Sequence, residues 1–297
     1  MAVIEIESLV KRFGKVSALD GATLSVEPSE VYGFIGPNGA GKSTTIRVLL
    51  GILKANAGSA RIFGADAWRD AVAIHRRIAY VPGDANLWPN LTGGEVIDLF
   101  LRLRKSGQRR YRDELIQRFD FDPSKKCGSY SKGNRQKVAL IAAFSSDAEL
   151  FILDEPTSGL DPLMEMAFRQ CVSEVKGRGA TVFLSSHILS EVEELCDRIS
   201  IIRQGRIIDT GSLDELRHLT RNRVSITVAD PREFEGLESL PGVYNLSLDD
   251  AESTARFDMD NSQTTVVLGL LANRRVTHLS CTPPTLEELF MSHYAGR

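Results

Sequence analysis

The sequence predicts an α/β protein: a mostly parallel sheet covered by helices, interrupted by a helical subdomain and followed by a small α+β module. Three observations lead there. Short apolar runs alternate with helical periodicity up to about Thr220, the order that favours a parallel sheet. Strand signals vanish between Asn86 and Ser146, where helical patterns take over. Beyond Thr220 short strand patterns return in a β-α-β-β-α-β order, which suggests a ferredoxin-like unit. A chain of 297 residues, 42% apolar and 25% charged, has the material for one large domain or two unequal ones.

The core strands are expected at Val31–Ile35, Ile78–Val81, Leu150–Leu153, Thr181–Leu184 and Ile199–Ile202, several of them apolar enough to be buried on both faces. Helices are expected at Lys42–Leu50, Pro162–Lys176 and Leu189–Leu195. Gln204-Gly205, between Ile199–Arg203 and Arg206–Asp209, carries the turn chemistry of a hairpin. In the third segment Arg223–Val228, Val243–Leu248, Thr254–Asp258 and Thr277–Cys281 read as strands. Pro231–Leu240 and Ser262–Ala272 read as helices, and a closing helix begins near Pro284. The division is therefore residues 1–221, with the helical subdomain at about 86–146, and an accessory module at 222–297.

Composition excludes several classes. Lysine plus arginine number 36 against 39 acidic residues, a net charge of -3, which argues against a general nucleic-acid coat. No apolar run approaches the length of a bilayer span, and Met1–Glu7 lack the pattern of a secretory signal. Cys127, Cys171, Cys196 and Cys281 lie far apart without metal-like spacing and are expected as reduced thiols. A soluble intracellular protein is expected, one that works at a membrane only through a partner.

The chemistry begins at Gly36-Pro37-Asn38-Gly39-Ala40-Gly41-Lys42-Ser43-Thr44, a GxxxxGK[ST] phosphate loop that follows one predicted strand and opens one predicted helix. Glycines let backbone N–H groups curl inward around phosphates, and the helix N-terminus adds partial positive charge. Lys42 is placed to bridge β- and γ-phosphates and Ser43 to ligate Mg²⁺. The apolar run Leu150-Phe151-Ile152-Leu153 delivers Asp154 to the carboxyl edge of the sheet, where it can hold Mg²⁺. Glu155, one residue on, can orient or deprotonate the water that attacks the γ-phosphate. Four other residues are open on local sequence alone. Ser131 and Gly133 read as an ordinary serine N-cap or as an anion-binding helix start. His187 reads as a strand-end histidine with a local partner or as a phosphate sensor, and Phe13 as core or as a shelf for a base.

These residues together resemble the nucleotide-binding subunits of ATP-binding-cassette (ABC) transporters over about residues 3–215. Tyr130-Ser131-Lys132-Gly133-Asn134-Arg135-Gln136 stands where that family keeps its LSGGQ signature, Thr157-Ser158-Gly159-Leu160-Asp161 matches its D-loop, and His187 its switch histidine. The resemblance implies a P-loop NTPase cassette that hydrolyses ATP with Mg²⁺. It implies that Phe13 stacks on adenine and that Glu155 and His187 act at the γ-phosphate. It further implies that Ser131 and Gly133 contact ATP on the opposite subunit of a homodimer or heterodimer. The implied partner is a transmembrane permease, with the chain peripheral on the cytoplasmic face of the cell membrane and no nucleic acid bound. The accessory module and Pro284-Thr285-Leu286-Glu287-Glu288-Leu289-Phe290 resemble type-2 exporter subunits, which pump drugs or antibiotics. A ribosome- or DNA-directed relative fits less well: the chain has one phosphate loop and no sustained heptads between Lys42 and Leu153.

The chain departs from the family pattern in two places. Gly83, in Tyr80-Val81-Pro82-Gly83-Asp84, occupies the usual glutamine position, so either a water or Asp84 is expected to supply the missing oxygen. Lys132 replaces a signature glycine and Asn134 its glutamine. A lysine at a helix N-terminus is unfavourable by a few tenths of a kcal/mol unless a phosphate compensates it.

Overall fold

The computed structural model describes residues 1–104, 109–218 and 221–282, apart from residues 235, 238–239, 241, 250–252, 261–262 and 273. The chain forms two compact units, Met1–Thr210 and Gly211–Arg297.

In the first unit two sheets carry the architecture. A four-stranded antiparallel sheet is built from β1 (Ile4–Phe13), β2 (Val16–Val26), β4 (Ala57–Ile62) and β5 (Ala65–Asp66), in the order β2-β1-β4-β5. The larger sheet contains β3 (Val31–Ile35), β6 (Ile78–Val81), β7 (Leu150–Asp154), β8 (Thr181–Ser186), β9 (Arg198–Arg203) and β10 (Arg206–Ser212), in the order β10-β9-β3-β8-β7-β6. The pairs β9/β3, β3/β8, β8/β7 and β7/β6 are all parallel. Helices α1 (Lys42–Leu49), α2 (Ala71–His75), α6 (Pro162–Gly177) and α7 (Leu189–Leu195) connect these strands. Every residue of β3, β7 and β8 is buried, which is why these strands read as continuous apolar runs. Gln204 (φ 49°) and Gly205 (φ 77°) adopt the left-handed conformation that a tight hairpin between β9 and β10 requires.

The antiparallel sheet has no counterpart in the sequence expectation, and the reason is local. Alternation in β1 is broken after Ile6 by a bulge at Ser8 (φ 46°), so Ile4 and Ile6 fall on one phase and Leu9 on another, yet all three are buried. Gly58 in β4 lies so close to the Ser8 carbonyl that a Cβ would overlap it.

Between β6 and β7 the helical subdomain consists of α3 (Gly93–Arg104), α4 (Arg109–Arg118) and α5 (Lys132–Phe144). A capping box opens α3: Thr92 N–H donates to Glu95 Oε2 and Glu95 N–H to Thr92 Oγ1. Phe144, at the end of α5, anchors the subdomain to the sheet by stacking on Phe151 at 5.5 Å and meeting Phe168 at 6.0 Å.

The second unit contains α8 (Leu213–His218), β11 (Asn222–Val228), β12 (Val243–Asp249), β13 (Thr254–Met259), α9 (Thr264–Leu271) and β14 (Val276–Thr282). Its strands pair antiparallel in the order β12-β13-β11-β14, the ferredoxin-like arrangement. The helix expected at Pro231–Leu240 is instead a short 3₁₀ turn, Pro231–Phe234. Gly236, at φ 85°, ends the helical conformation, while Phe234 and Leu237 still fill the core beside Ile226 and Phe257. The closing helix expected from Pro284 lies outside the described residues. All four cysteines are free, Cys281 being exposed and the others buried.

Replacing Phe144 by alanine removes a fully buried ring that joins α5 to β7 and α6. The expected cost is about 3–5 kcal/mol, read as a lowered denaturant midpoint for the first unit.

Candidate functional site

Parallel pairing aims the carboxyl ends of β3, β6, β7 and β8 at one edge, and the predicted residues leave the sheet from those ends. Gly36 to Gly41 link β3 to α1, and Lys42 to Thr44 form the first turn of that helix. Gly36 packs so tightly on the Ile202 carbonyl that no Cβ fits, and Gly41 takes φ 118° at the start of α1. The first turn of α1 has no side-chain cap and no acidic residue to compete for its N–H donors, which suits it to binding an anion. Ala40 N–H closes the loop on the Pro37 carbonyl at 3.1 Å, and Asn38 and Gly39 are exposed at its tip. Lys42 is only 5% exposed, and its Nζ donates to the carbonyls of Gly36 (2.6 Å) and Pro37 (3.3 Å). Ser43 is exposed next to the half-buried Thr44, and its Oγ lies 3.5 Å from Asp154 Oδ1.

Glu155 sits between two cationic or polarisable partners. Its Oε1 is 3.5 Å from Lys42 Nζ and its Oε2 is 3.3 Å from His187 Nδ1. The residue is held at φ 47°, a conformation that costs a non-glycine residue on the order of 1 kcal/mol. Ser185 offsets that cost. Its carbonyl accepts Glu155 N–H at 3.0 Å, its Oγ is a second acceptor at 3.3 Å, and the same hydroxyl donates to Asp154 Oδ1 at 2.6 Å. Burial, with the Asp154 charge adding, pushes the neighbouring Tyr80 phenol up to about 12 and keeps it neutral.

Ser131 is the N-cap of α5, accepting Asn134 N–H at 3.3 Å. Gly133 abuts the Gly159 carbonyl so closely that a Cβ would overlap it, and Lys132 Nζ donates to Ser158 Oγ at 2.7 Å. Within one chain the signature segment and the Thr157–Asp161 loop therefore touch. Phe13 is 49% exposed at the end of β1, with Lys11 Nζ 5.1 Å above its ring, so it is not a core residue. Gly83 packs on the Asp154–Glu155 backbone, where a Cβ would come within 3.1 Å of the Asp154 carbonyl, and Asp84 is exposed beside it.

Three contacts at the site lie beyond sequence reasoning, which named Gln136 and Lys132 only as part of the signature segment and gave Ser185 no role. Ser185 was legible only through strand register, since β7 pairs Asp154 with it. Gln136 is fully buried and donates to the Pro82 carbonyl at 3.0 Å, tying α5 to the loop that bears Gly83. The Lys132–Ser158 bond depended on a turn that periodicity does not describe.

The fold and this edge define a P-loop ATPase of the ABC type. The ABC transporter family model matches residues 19–158, and a model for the C-terminal domain of DrrA1-3-like ATP-binding proteins matches residues 211–294. The chain is 35% identical to the daunorubicin resistance ATP-binding protein DrrA3 of Streptomyces coeruleorubidus, covering 99% of this chain and 96% of that one. It is 34% identical to the bacitracin transport ATP-binding protein BcrA of Bacillus licheniformis, covering 77% and 76% respectively. Among solved structures, an ATP-binding subunit of an ABC transporter superposes with a TM-score of 0.69 at 32% identity, over 73% of this chain and 92% of that one. The chain belongs to the ABC transporter ATP-binding protein family.

Gly133→Ala forces the start of α5 away from Gly159. ATP binding to the isolated chain, read by nucleotide fluorescence, is expected to stay within about twofold, while steady-state ATPase falls by roughly tenfold or more.

Proposed function

We propose that the chain is the ATP-hydrolysing subunit of an exporter of drugs or antibiotics, working on a separate transmembrane permease as a dimer that encloses two ATP molecules. The observation that carries this reading is the placement of Glu155 between Lys42 and His187, directly above the phosphate loop. Resemblance to DrrA3 along nearly the whole of both chains supports the exporter class, as does the match of the second unit to that group's C-terminal domain. Among the described residues no helix is long and apolar enough to cross a membrane.

The donor set suits Mg²⁺. A hydroxyl and a carboxylate are hard oxygen ligands, and among the described residues no cluster of three acidic, histidine or cysteine side chains forms a protein-only cage. Ser43 and Asp154 would hold such an ion, which when bound would neutralise charge on the triphosphate. Lys42 leaves the carbonyls of Gly36 and Pro37 for the β- and γ-phosphates, and the open N–H groups of the loop and α1 bind phosphate oxygens. Phe13 stacks on adenine. Glu155 aligns a water for in-line attack and takes its proton as the bond from the γ-phosphorus to the ADP oxygen breaks. His187 supports the γ-phosphate. Ser131 and Gly133 of a facing subunit complete the site, so ATP joins the two subunits and its cleavage loosens them. Glycine at position 83 leaves a ligand position to water or to Asp84. The second unit acts as an accessory or regulatory module, and the whole sits on the cytoplasmic face of the membrane through its permease.

Glu155→Gln keeps the side chain's size and removes the base. Turnover is expected to fall by about 10²–10⁴-fold, and size-exclusion chromatography with MgATP should show a lasting dimer. Wild-type turnover in this variant would remove Glu155 from the mechanism.

A further inference from the structure

Outside the groups the mechanism uses, one acidic side chain is buried against its machinery. Glu191, in the first turn of α7, is 4% exposed. Its Oε2 accepts the Ser186 hydroxyl at 2.6 Å, while Oε1 has no hydrogen-bond partner among the described residues. The Ser186 oxygen in turn accepts Ile188 N–H at 2.9 Å. His187 lies between those two residues, so the chain from Glu191 through Ser186 to Ile188 closes the backbone around it. In an ordinary capping box the carboxylate at this helix position bonds the N-cap N–H directly; here Ser186 is interposed.

The Thr157 hydroxyl, at the start of the Thr157–Asp161 loop, faces the Glu191 carboxylate together with Ser186. From α6 come Glu165 and Arg169, the latter ion-paired with Glu194 of α7, and the buried Cys196 thiol lies at the other end of α7. Burial raises the Glu191 pKa, an effect that the Ser186 and Thr157 hydroxyls oppose.

We propose that Glu191 is a positioning residue for ATP hydrolysis: through Ser186 it fixes His187 against Glu155. This rests on the reading of His187 as a γ-phosphate ligand. Glu191 does not touch nucleotide. Its effect passes through the imidazole, whose Nδ1 must stay near Glu155 Oε2, and a displacement of about 1 Å there suffices for a large loss of rate.

A helix cap and a positioning residue make different predictions. Loss of a cap alone lowers the melting temperature and leaves kcat in place. The full-length chain is assayed by single-turnover hydrolysis of radiolabelled ATP, so that slow backgrounds remain readable. Glu191→Ala is expected to lower the rate by about tenfold or more with the ATP KM within about twofold, and Glu191→Gln, which retains an acceptor for Ser186, should restore most of it. In a His187→Ala background, Glu191→Ala should change the remaining rate by less than about twofold, because the two residues act as one unit. A wild-type rate in Glu191→Ala, or a full additional loss in the His187→Ala background, overturns the proposal and leaves the ATPase reading standing. Wild-type chain that does not hydrolyse ATP overturns that reading, and this inference with it.

Discussion

The Ser185 hydroxyl is bonded to both halves of the acidic pair. It donates to Asp154 and accepts from the backbone of Glu155, and its own carbonyl takes the same N–H. That arrangement keeps Glu155 in a left-handed conformation that an isolated chain would abandon, and it turns the carboxylate toward Lys42 and His187. Asp154 is thereby aimed at Ser43 of the phosphate loop. The parallel register of β7 on β8 makes this possible, because it places Asp154 and Ser185 side by side at the edge that bears the phosphate loop.

Around this pair the first unit is connected by close backbone approaches as much as by side chains. Gly133 against Gly159 and Lys132 on Ser158 link the start of α5 to the Thr157–Asp161 loop. Gln136 links the same helix to Pro82, and Gly83 rests on the acidic pair itself. A shift of the helical subdomain therefore reaches the catalytic edge at several points. The two departures from the family pattern fall on these joints. Lysine at 132 acquires a hydroxyl partner rather than standing unpaired, which eases its unfavourable place at a helix N-terminus. Glycine at 83 allows the Pro82–Asp84 turn to lie against Asp154, where any larger residue requires the backbone to give way.

Much of this was legible in the sequence because buried parallel strands and phosphate loops have strong local signatures. Leu150-Phe151-Ile152-Leu153 and Val31–Ile35 are apolar throughout because both faces are covered, and the acidic pair and the phosphate loop follow them directly. The antiparallel sheet was hidden because the Ser8 bulge shifts the alternation of β1 midway. Phe234 and Leu237 have helical spacing in the sequence, but Gly236 stops the helix between them, leaving the turn at Pro231–Phe234. Ser185 and Glu191 escaped notice because their importance lies in register and burial, which a single sequence does not display.

Two copies must share each nucleotide if the signature segment is to act, and complementation measures this directly. Lys42→Ala disables one phosphate loop and Ser131→Ala one signature segment, so each variant alone should be nearly inactive. A mixture forms heterodimers in which one of the two sites draws an intact phosphate loop and an intact signature from different chains, and ATPase activity should return to as much as about a quarter of wild type. Activity no greater than the sum of the separate variants would contradict a shared site.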